Sequence, residues 1–251
     1  MLRDRRHELI VRILRSDGPA TVEALAERLA VSTATVRRDL VQLDEQGLLR
    51  RVYGGAMPID DQRDDPFVDV AAQRAEEKDK IAQRCAEMIK DGETILLDIG
   101  TTAHRVAHWL RDRSLTVVTS SLAVLEELQD SEDIQIVLLG GMVRREYRSI
   151  VGFLTEDNLR QVKADRLFLG TSGVRPGGHV MDTTVVEVPV KRAMIAASDQ
   201  VVLVADVGKF PGTGMARVCG PEDLDVVVTN AASDAATLQT LRDSGVEVIQ
   251  V

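Results

Sequence analysis

Arg37 and Arg38 stand together in the run Val31-Ser32-Thr33-Ala34-Thr35-Val36-Arg37-Arg38-Asp39-Leu40, and their spacing against the apolar residues gives them chemistry. At 100° per residue, Val36, Leu40 and Leu43 fall within about 60° of one another on a helix. Arg38 then projects almost opposite, with Ala34 and Thr35 on the outer side and Arg37 on its flank. A guanidinium can fork onto guanine O6/N7 or a phosphate, and a threonine can bond a phosphate or touch a thymine methyl. Ser32 is placed to cap this helix, with Thr33 in its first turn. Arg50, Arg51 and Tyr53 follow on a predicted hairpin, within reach of phosphates or an adjacent minor groove. Asp39 lies beside the buried face and is read as structural, paired with a neighbouring arginine.

A second group of residues lies in small polar loops that follow apolar runs. Ile95-Leu96-Leu97-Asp98 leads to Ile99-Gly100-Thr101-Thr102, and Val117-Val118-Thr119 leads to Ser120-Ser121. Leu138-Leu139 leads to Gly140-Gly141, and Leu169 to Gly170-Thr171-Ser172-Gly173. Backbone N–H groups at a helix start, with hydroxyls and a permissive glycine, make an anion seat. Ligands of open α/β sheets gather at the carboxyl ends of strands, where these loops fall. With Asp98, Glu187 and Lys209 they predict a polar pocket for a phosphorylated or polyhydroxylated molecule.

Other patterns carry less. His104 and His108 have the i, i+4 spacing of zinc ligands, but no glutamate follows the first and no third ligand is evident, so packing is the expected role. Gly212-Thr213-Gly214 lacks the full dinucleotide fingerprint. Cys85 and Cys219 belong to no Cys-x-x-Cys pattern and are expected as buried, inert thiols. Neither a metal nor a cofactor is expected.

Positioning these groups requires two kinds of scaffold. Residues 5–16 carry Leu9, Ile10, Ile13 and Leu14 at helical spacing and stop at Asp17-Gly18-Pro19. Thr21 can cap a second helix with Leu25 and Leu29 inward; Val31-Ser32 breaks it, and the third helix runs to about Leu43, closed by Gly47. Leu48 to Tyr53, Gly54-Gly55 and Ala56-Met57 read as strand, turn and return strand. Residues 58–73 read as a linker, and a helix follows to about Lys90 with Ile81, Cys85, Met88 and Ile89 inward. From Glu93 onward, short apolar runs alternate with amphipathic helices: Ile95–Leu97, Leu115–Val118, Ile134–Leu139, Leu167–Leu169, Val201–Val204, Val226–Val228 and Val246–Ile249. Continuous runs of this kind suit a mostly parallel sheet covered on both faces, an α/β domain.

Composition agrees with this division. The 251 residues carry a net charge of −9, yet residues 1–57 hold ten arginines against eight acidic side chains and the remainder 21 basic against 32 acidic. A basic head on an acidic body directs only the head toward a polyanion. No run reaches the ~20 apolar residues of a membrane span, and Met1 to Arg6 lead into no signal peptide. A cytoplasmic protein with no membrane partner is expected.

The run Val31 to Leu40, with Leu43, Gly47, Arg51 and Gly54-Gly55-Ala56, closely resembles the signature of the DeoR family of bacterial regulators. The resemblance extends through Glu77-Lys78, Asp98 to Thr102, Gly140-Gly141, Ser149 with Gly152, Gly170 with Ser172-Gly173, Glu187, and Asp206 with Lys209-Phe210. It implies a winged helix-turn-helix (1–57) and an α/β effector-sensing domain (74–251), the latter similar in fold to ribose-phosphate isomerases and CoA transferases. It also implies operator contacts at Thr35, Arg37 and Arg38, with Ala34 at a variable position that would bear on operator choice. A phosphate seat at Gly100-Thr101-Thr102 is implied, with Asp98, Glu187 and Lys209 near sugar hydroxyls or a carbonyl. Two features depart from the family pattern: Ser120 stands where asparagine is frequent, and Gly208 and Pro211 replace a serine and a glycine.

The function expected is a repressor of a carbohydrate or nucleoside operon, released from double-stranded operator DNA by a sugar phosphate or related polyol. A homo-oligomer, dimer or tetramer, is expected to bind repeated half-sites. An activator built from the same parts stays open, as does a sugar-phosphate isomerase using Asp98, Glu187 and Lys209 as acid–base groups.

Overall fold

The computed structural model describes residues 3–17, 20–46, 48–52, 54–57 and 67–251. Gly18-Pro19 and Gly47, read above as helix ends, lie outside the described residues, as do Tyr53 and residues 58–66 of the expected linker. The chain divides into two compact units between Gln62 and Arg63.

The first unit comprises α1 (Arg3–Asp17), β1 (Ala20–Thr21), α2 (Val22–Leu29), α3 (Thr33–Glu45), β2 (Arg50–Val52) and β3 (Gly55–Met57). Ile10 and Leu14 of α1, Leu25 and Leu29 of α2, and Val36, Leu40 and Leu43 of α3 close into one buried cluster with Leu49 and Ala56. The helix starts are capped as expected: the Thr21 hydroxyl accepts from Ala24 N at 3.2 Å, and the Ser32 hydroxyl from Thr35 N at 3.2 Å. The break between α2 and α3 comes one residue earlier than the sequence suggests, at Ala30, which takes the left-handed conformation with φ +52°. Its neighbour Val31 returns an N–H to Ala26 O at 3.1 Å. The strands form an antiparallel sheet in the order β1-β3-β2. The two-residue β1 has no readable pattern, but it explains Gly55, where a Cβ would stand 2.3 Å from Ala20 O.

Asp39 is only 3% exposed. Its partners lie on α1, 33 and 32 residues away, rather than among nearby arginines: Arg6 Nε donates to Oδ2 at 2.6 Å, and His7 Nε2 lies 3.0 Å from Oδ1. Burial works against the carboxylate, but the hydrogen bonds and charges of Arg6 and His7 outweigh it and hold its pKa below the usual value. A depressed aspartate pKa contributes stability above the unfolded value of 3.8 that is lost as pH falls through the folded one. Asp39→Ala is therefore expected to cost the head about 2 kcal/mol at pH 7 and progressively less below pH ~4. Hydrogen exchange of the α3 amides against pH checks this; a deficit that persists unchanged into acid would refute it.

The second unit begins earlier than the expected end of the linker, because α4 (Phe67–Ala72) is already helical, with Phe67 4% exposed. Then come α5 (Ala75–Glu87), β4 (Thr94–Leu97), α6 (Thr101–His108), β5 (Leu115–Thr119), α7 (Leu122–Leu128), β6 (Ile134–Leu138), β7 (Met142–Arg144), β8 (Ser149–Val151) and α8 (Phe153–Leu159). The remainder is β9 (Ala164–Leu169), β10 (Gly173–Val174), β11 (Val180–Asp182), α9 (Val188–Ala196), β12 (Ser198–Ala205), β13 (Ala216–Cys219), β14 (Val226–Thr229), α10 (Ala235–Asp243) and β15 (Glu247–Gln250).

The seven apolar runs form the main sheet, ordered β15-β14-β12-β9-β4-β5-β6 and parallel throughout. Alternate residues feed opposite faces, as the pleat requires. Leu96, Leu167, Leu169 and Leu203 meet Leu159, Met194 and Leu241 from α8, α9 and α10. Ile95, Leu97, Phe168, Val202 and Val204 meet Ile81, Cys85, Val106 and Val124 from α5, α6 and α7. Both cysteines are buried and unpaired, and burial pushes the Cys219 thiol up to about 12. Two smaller pieces escape the sequence pattern: the β7–β8 hairpin and the sheet β10-β11-β13. No helix among the described residues is long and apolar enough to cross a membrane.

Candidate nucleic-acid interface and polar pocket

The Ser32 cap starts α3 where the chain needs it, and its apolar stripe turns the other face to solvent. Ser32, Thr33, Ala34, Arg37 and Arg38 are exposed and Thr35 is half-buried. Arg38 Nε donates to Ala34 O at 3.3 Å, which lays the guanidinium along the outer face. Beside it, β2 exposes Arg50 and Arg51, and the Arg51 N–H is fixed by Asp44 Oδ1 at 3.1 Å. A cleft of about 280 Å³ between α3 and the hairpin is edged by Arg37 and Arg51. An α-helix fits a major groove about 12 Å wide, and the exposed arginines of α3 and of β2 lie on one side of this unit, bordering the same cleft.

In the second unit, the strand order decides which loops meet. From the central β4 the chain proceeds outward through β5 and β6, then crosses to β9 on the other side of β4 and continues to β15. The loops after β4 and β9 therefore diverge and leave a crevice at the topological switch point. There a cavity of about 140 Å³ is lined by Gly100, Ser172, Glu187 and Lys209 of the expected set. Asp98 lies buried beneath it, its Oδ2 accepting Gly170 N at 2.9 Å. Thr101 and Thr102 are buried in the first turn of α6, which has no side-chain cap at Gly100.

Ser120, Ser121, Gly140 and Gly141 do not line the cavity. Their strands β5 and β6 lie on the far side of β4, about 5 and 10 Å from the crevice. Ser121 instead caps α7 by accepting from Val124 N at 3.2 Å. Ser120 is fully buried, and its hydroxyl has no hydrogen-bond partner among the described residues. Gly140 and Gly141 make the turn that sends the β7–β8 hairpin out: Gly140 N donates to Asn158 Oδ1 at 3.1 Å, and a Cβ on Gly141 would stand 2.2 Å from Thr155 Oγ1.

Two cations missed from sequence complete the cavity. Lys191, 3% exposed, ion-pairs with Asp98 Oδ2, donates to Gly170 O at 3.1 Å, and lies 3.5 Å from Asp182 Oδ2. Burial opposes its charge, but Asp98, Asp182 and Glu187 outweigh burial and raise its pKa above the ordinary lysine value. Arg144 of the hairpin pairs with Glu187, which also accepts from Ser149 Oγ at 2.8 Å. Burial pushes the Glu187 carboxyl up against the opposing effects of Ser149, Lys191 and Arg144. Lys191 had a signal: it falls four residues after Glu187, in a helix whose start is Val188-Pro189-Val190. Arg144 had none, because a three-residue strand shows no period.

The region around the cavity is knitted to α4. Val70 lines it, and its carbonyl accepts from buried Lys78 Nζ at 2.6 Å; burial lowers the Lys78 pKa to about 8. A Cβ at Gly208 would lie 2.3 Å from the Arg74 guanidinium, the movable end of a half-exposed side chain, so a small side chain there would only displace Arg74. His104 and His108 both reach Glu127 of α7, at 3.2 and 2.8 Å, and Arg111 ion-pairs with the same carboxylate at 2.6 Å.

Comparison with known proteins follows the same division. The DeoR-like helix-turn-helix domain matches residues 6–62, and the DeoR C terminal sensor domain matches residues 73–231. The chain is 36% identical over 249 residues to the glycerol-3-phosphate regulon repressor of Escherichia coli (strain K12), covering 99% of both. It is 38% identical over 231 residues to the transcriptional repressor AccR of Agrobacterium fabrum, covering 91% of this chain and 90% of that one. Among solved structures, ribose 5-phosphate isomerase A from Methanocaldococcus jannaschii aligns with a TM-score of 0.41 at 16% identity, over 55% of each chain.

Proposed function

The chain belongs to the DeoR family of transcriptional regulators, and from that premise we propose that it is an operator-binding repressor of a carbohydrate-related operon, released by a small phosphorylated sugar or polyol. The observation that carries the reading is the exposed Arg37-Arg38 pair on a capped helix beside an arginine-bearing hairpin. Thr35, Arg37 and Arg38 of α3 read the major groove, Ala34 sits where a different side chain would change operator choice, and Arg50 and Arg51 hold the backbone.

In the crevice, the uncapped start of α6 at Gly100 seats the phosphate, helped by Lys209 and Arg144. Ser172, Thr183 and Glu187 face the hydroxyls. A cavity of this size and polarity suits a small polar metabolite rather than a nucleotide. The ligand releases DNA by binding better to the DNA-free arrangement than to the DNA-bound one; a coupling of about 1–3 kcal/mol changes operator affinity roughly 5- to 150-fold.

Turnover is disfavoured by the same geometry. Asp98 is engaged by Lys191 and Gly170 N, and Glu187 by Arg144 and Ser149, so neither carboxylate is poised to carry a proton between substrate carbons. The pocket is read as a binding site, and a panel of pentose and hexose phosphates should show no conversion.

The test is a thermal-shift screen of phosphorylated sugars and polyols with the full chain. A ligand at 100 times its Kd stabilises by about 2.7 kcal/mol, which is a rise of roughly 5–10 °C for a domain of this size. The same compound should release a labelled promoter fragment, and Lys209→Ala should lose both responses. A screen without a hit, or a hit that leaves DNA bound, would overturn the effector assignment.

A further inference from the structure

With only six residues, α4 cannot persist in water by itself, since isolated helices shorter than about 12 residues are marginal. Docking supplies what its length does not. Phe67 is buried, Val70 and Ala71 are half-buried, and Val68, Asp69 and Ala72 are exposed, so one face is seated. The Phe67 ring stands edge-on to His104 of α6 at 5.6 Å and to Tyr147 of the β7–β8 turn at 6.0 Å. The Arg148 guanidinium lies over the same ring at 5.6 Å, and Phe67 N donates to Glu146 O at 3.2 Å. Near the other end, the Val70 carbonyl accepts from the buried Lys78 ammonium.

These supports belong to the effector crevice. His104 lies on α6, whose start at Gly100 borders the cavity, and Tyr147 and Arg144 line it from the hairpin. Val70 lines it from α4, which is therefore a wall of the crevice only while Phe67 is seated. The same helix stands close to the head in sequence: nine residues, 58–66, separate it from β3. Nine residues reach at most about 30 Å in any conformation, whereas with residues 67–73 released the tether reaches about 55 Å. Half-sites lie about 34 Å or a multiple of it apart, a spacing that the longer tether serves and the shorter one restricts.

We infer that α4 is the element through which the crevice acts on the head: an occupied crevice holds α4 seated and the tether short, and operator binding draws α4 off. A molecule that touches Val70 finds that contact only when the helix is seated, so it binds the seated arrangement better. That difference in affinity is what lets it shift the balance. Phe67 and Lys78 are positioning residues, which act through Val70 rather than on the effector. This mechanism rests on the operator-binding reading and adds the route by which an effector is felt there.

Hydrogen exchange of the full chain, read on peptides covering residues 67–78 with and without a promoter fragment, tests it. Bound DNA is expected to speed exchange in α4 about fivefold or more, while β4 and α10 keep their protection. Phe67→Ala loosens the seat and is expected to bind the promoter roughly three- to tenfold more tightly. The probes for the crevice, ribose 5-phosphate and glucose 6-phosphate, should bind that variant more weakly by a similar factor, since coupling is reciprocal. Opposite changes mark coupling, because a merely damaged fold would weaken both. Phe67→Leu, which keeps an apolar side chain in the seat, should stay near the unaltered protein. If Phe67→Ala does not melt cooperatively, Lys78→Met replaces it, with the same directions expected. Promoter binding with α4 exchange unchanged overturns the mechanism and leaves the operator reading standing, as does a folded variant whose promoter affinity is unchanged or weaker. Absence of promoter binding by the unaltered chain overturns both. Should neither sugar phosphate bind, the exchange and promoter measurements decide by themselves.

Discussion

Replacing Arg37 and Arg38 together by alanine is expected to weaken operator binding by roughly 2–6 kcal/mol, about 30-fold to 10⁴-fold, while leaving the fold intact. Each bidentate contact to a base is worth about 1–3 kcal/mol. Both side chains are exposed, Arg38 opposite Val36, Leu40 and Leu43 and Arg37 on the flank, and neither belongs to the buried cluster, so their loss removes nothing from the core. Fluorescence anisotropy on a promoter fragment at several salt concentrations separates the two kinds of contact. A base-reading arginine, when lost, should relax discrimination between operator and scrambled DNA; a phosphate-holding one should lower the salt slope by about 1 and weaken both sequences alike. Arg50→Ala and Arg51→Ala are expected to give the second signature. Unchanged affinity in the double variant would remove α3 from the interface.

Lys191→Met is expected to cost the second unit about 3–5 kcal/mol, because it leaves Asp98 buried with no countercharge. For a unit of this size the midpoint should drop by about 10 °C. The pH dependence carries the mechanism. A lysine whose folded pKa is raised contributes stability that is complete below the unfolded value of 10.5 and is lost as pH rises through the folded one. Lys191 therefore works at full strength at pH 7. In the variant, the stranded carboxylates become tolerable once protonated, so the deficit should narrow as pH falls toward the carboxylate range. Adding Asp98→Asn to Lys191→Met should recover part of the loss, since the amide oxygen can still accept Gly170 N. Calorimetry from pH 5 to pH 8 checks both expectations; a deficit independent of pH and of residue 98 would mean that Lys191 acts by packing alone.

What the sequence revealed follows from where each signal resides. The seven central strands were legible because both faces of a parallel sheet are covered, so each strand is a continuous apolar run. The outer face of α3 was legible because helical periodicity places side chains without reference to anything distant. Strand order is different: it depends on which runs pair across 70 residues, as β4 does with β9. The loops at Ser120 and Gly140 look like that at Gly100, and only the order of the sheet separates them from the crevice. The partners of Asp39 were hidden for the same reason, lying on another helix. The β7–β8 hairpin, with three residues on each side, exposed at Met142 and Val143 and buried along β8, is too short to carry a period, and with it went Arg144.

The order of the sheet also bears on synthesis. The first unit closes its core with residues that are all made before position 63, from Ile10 to Ala56. The second cannot complete its sheet until β15, within the last five residues, joins β14. Domains fold as units as the chain emerges, so a reading head should be finished on the ribosome long before the element that answers to metabolites exists. A chain truncated after the linker would then bind DNA with no means of being released, and arrested nascent chains of increasing length, probed by proteolysis, should show the head protected first and the sheet only at the end.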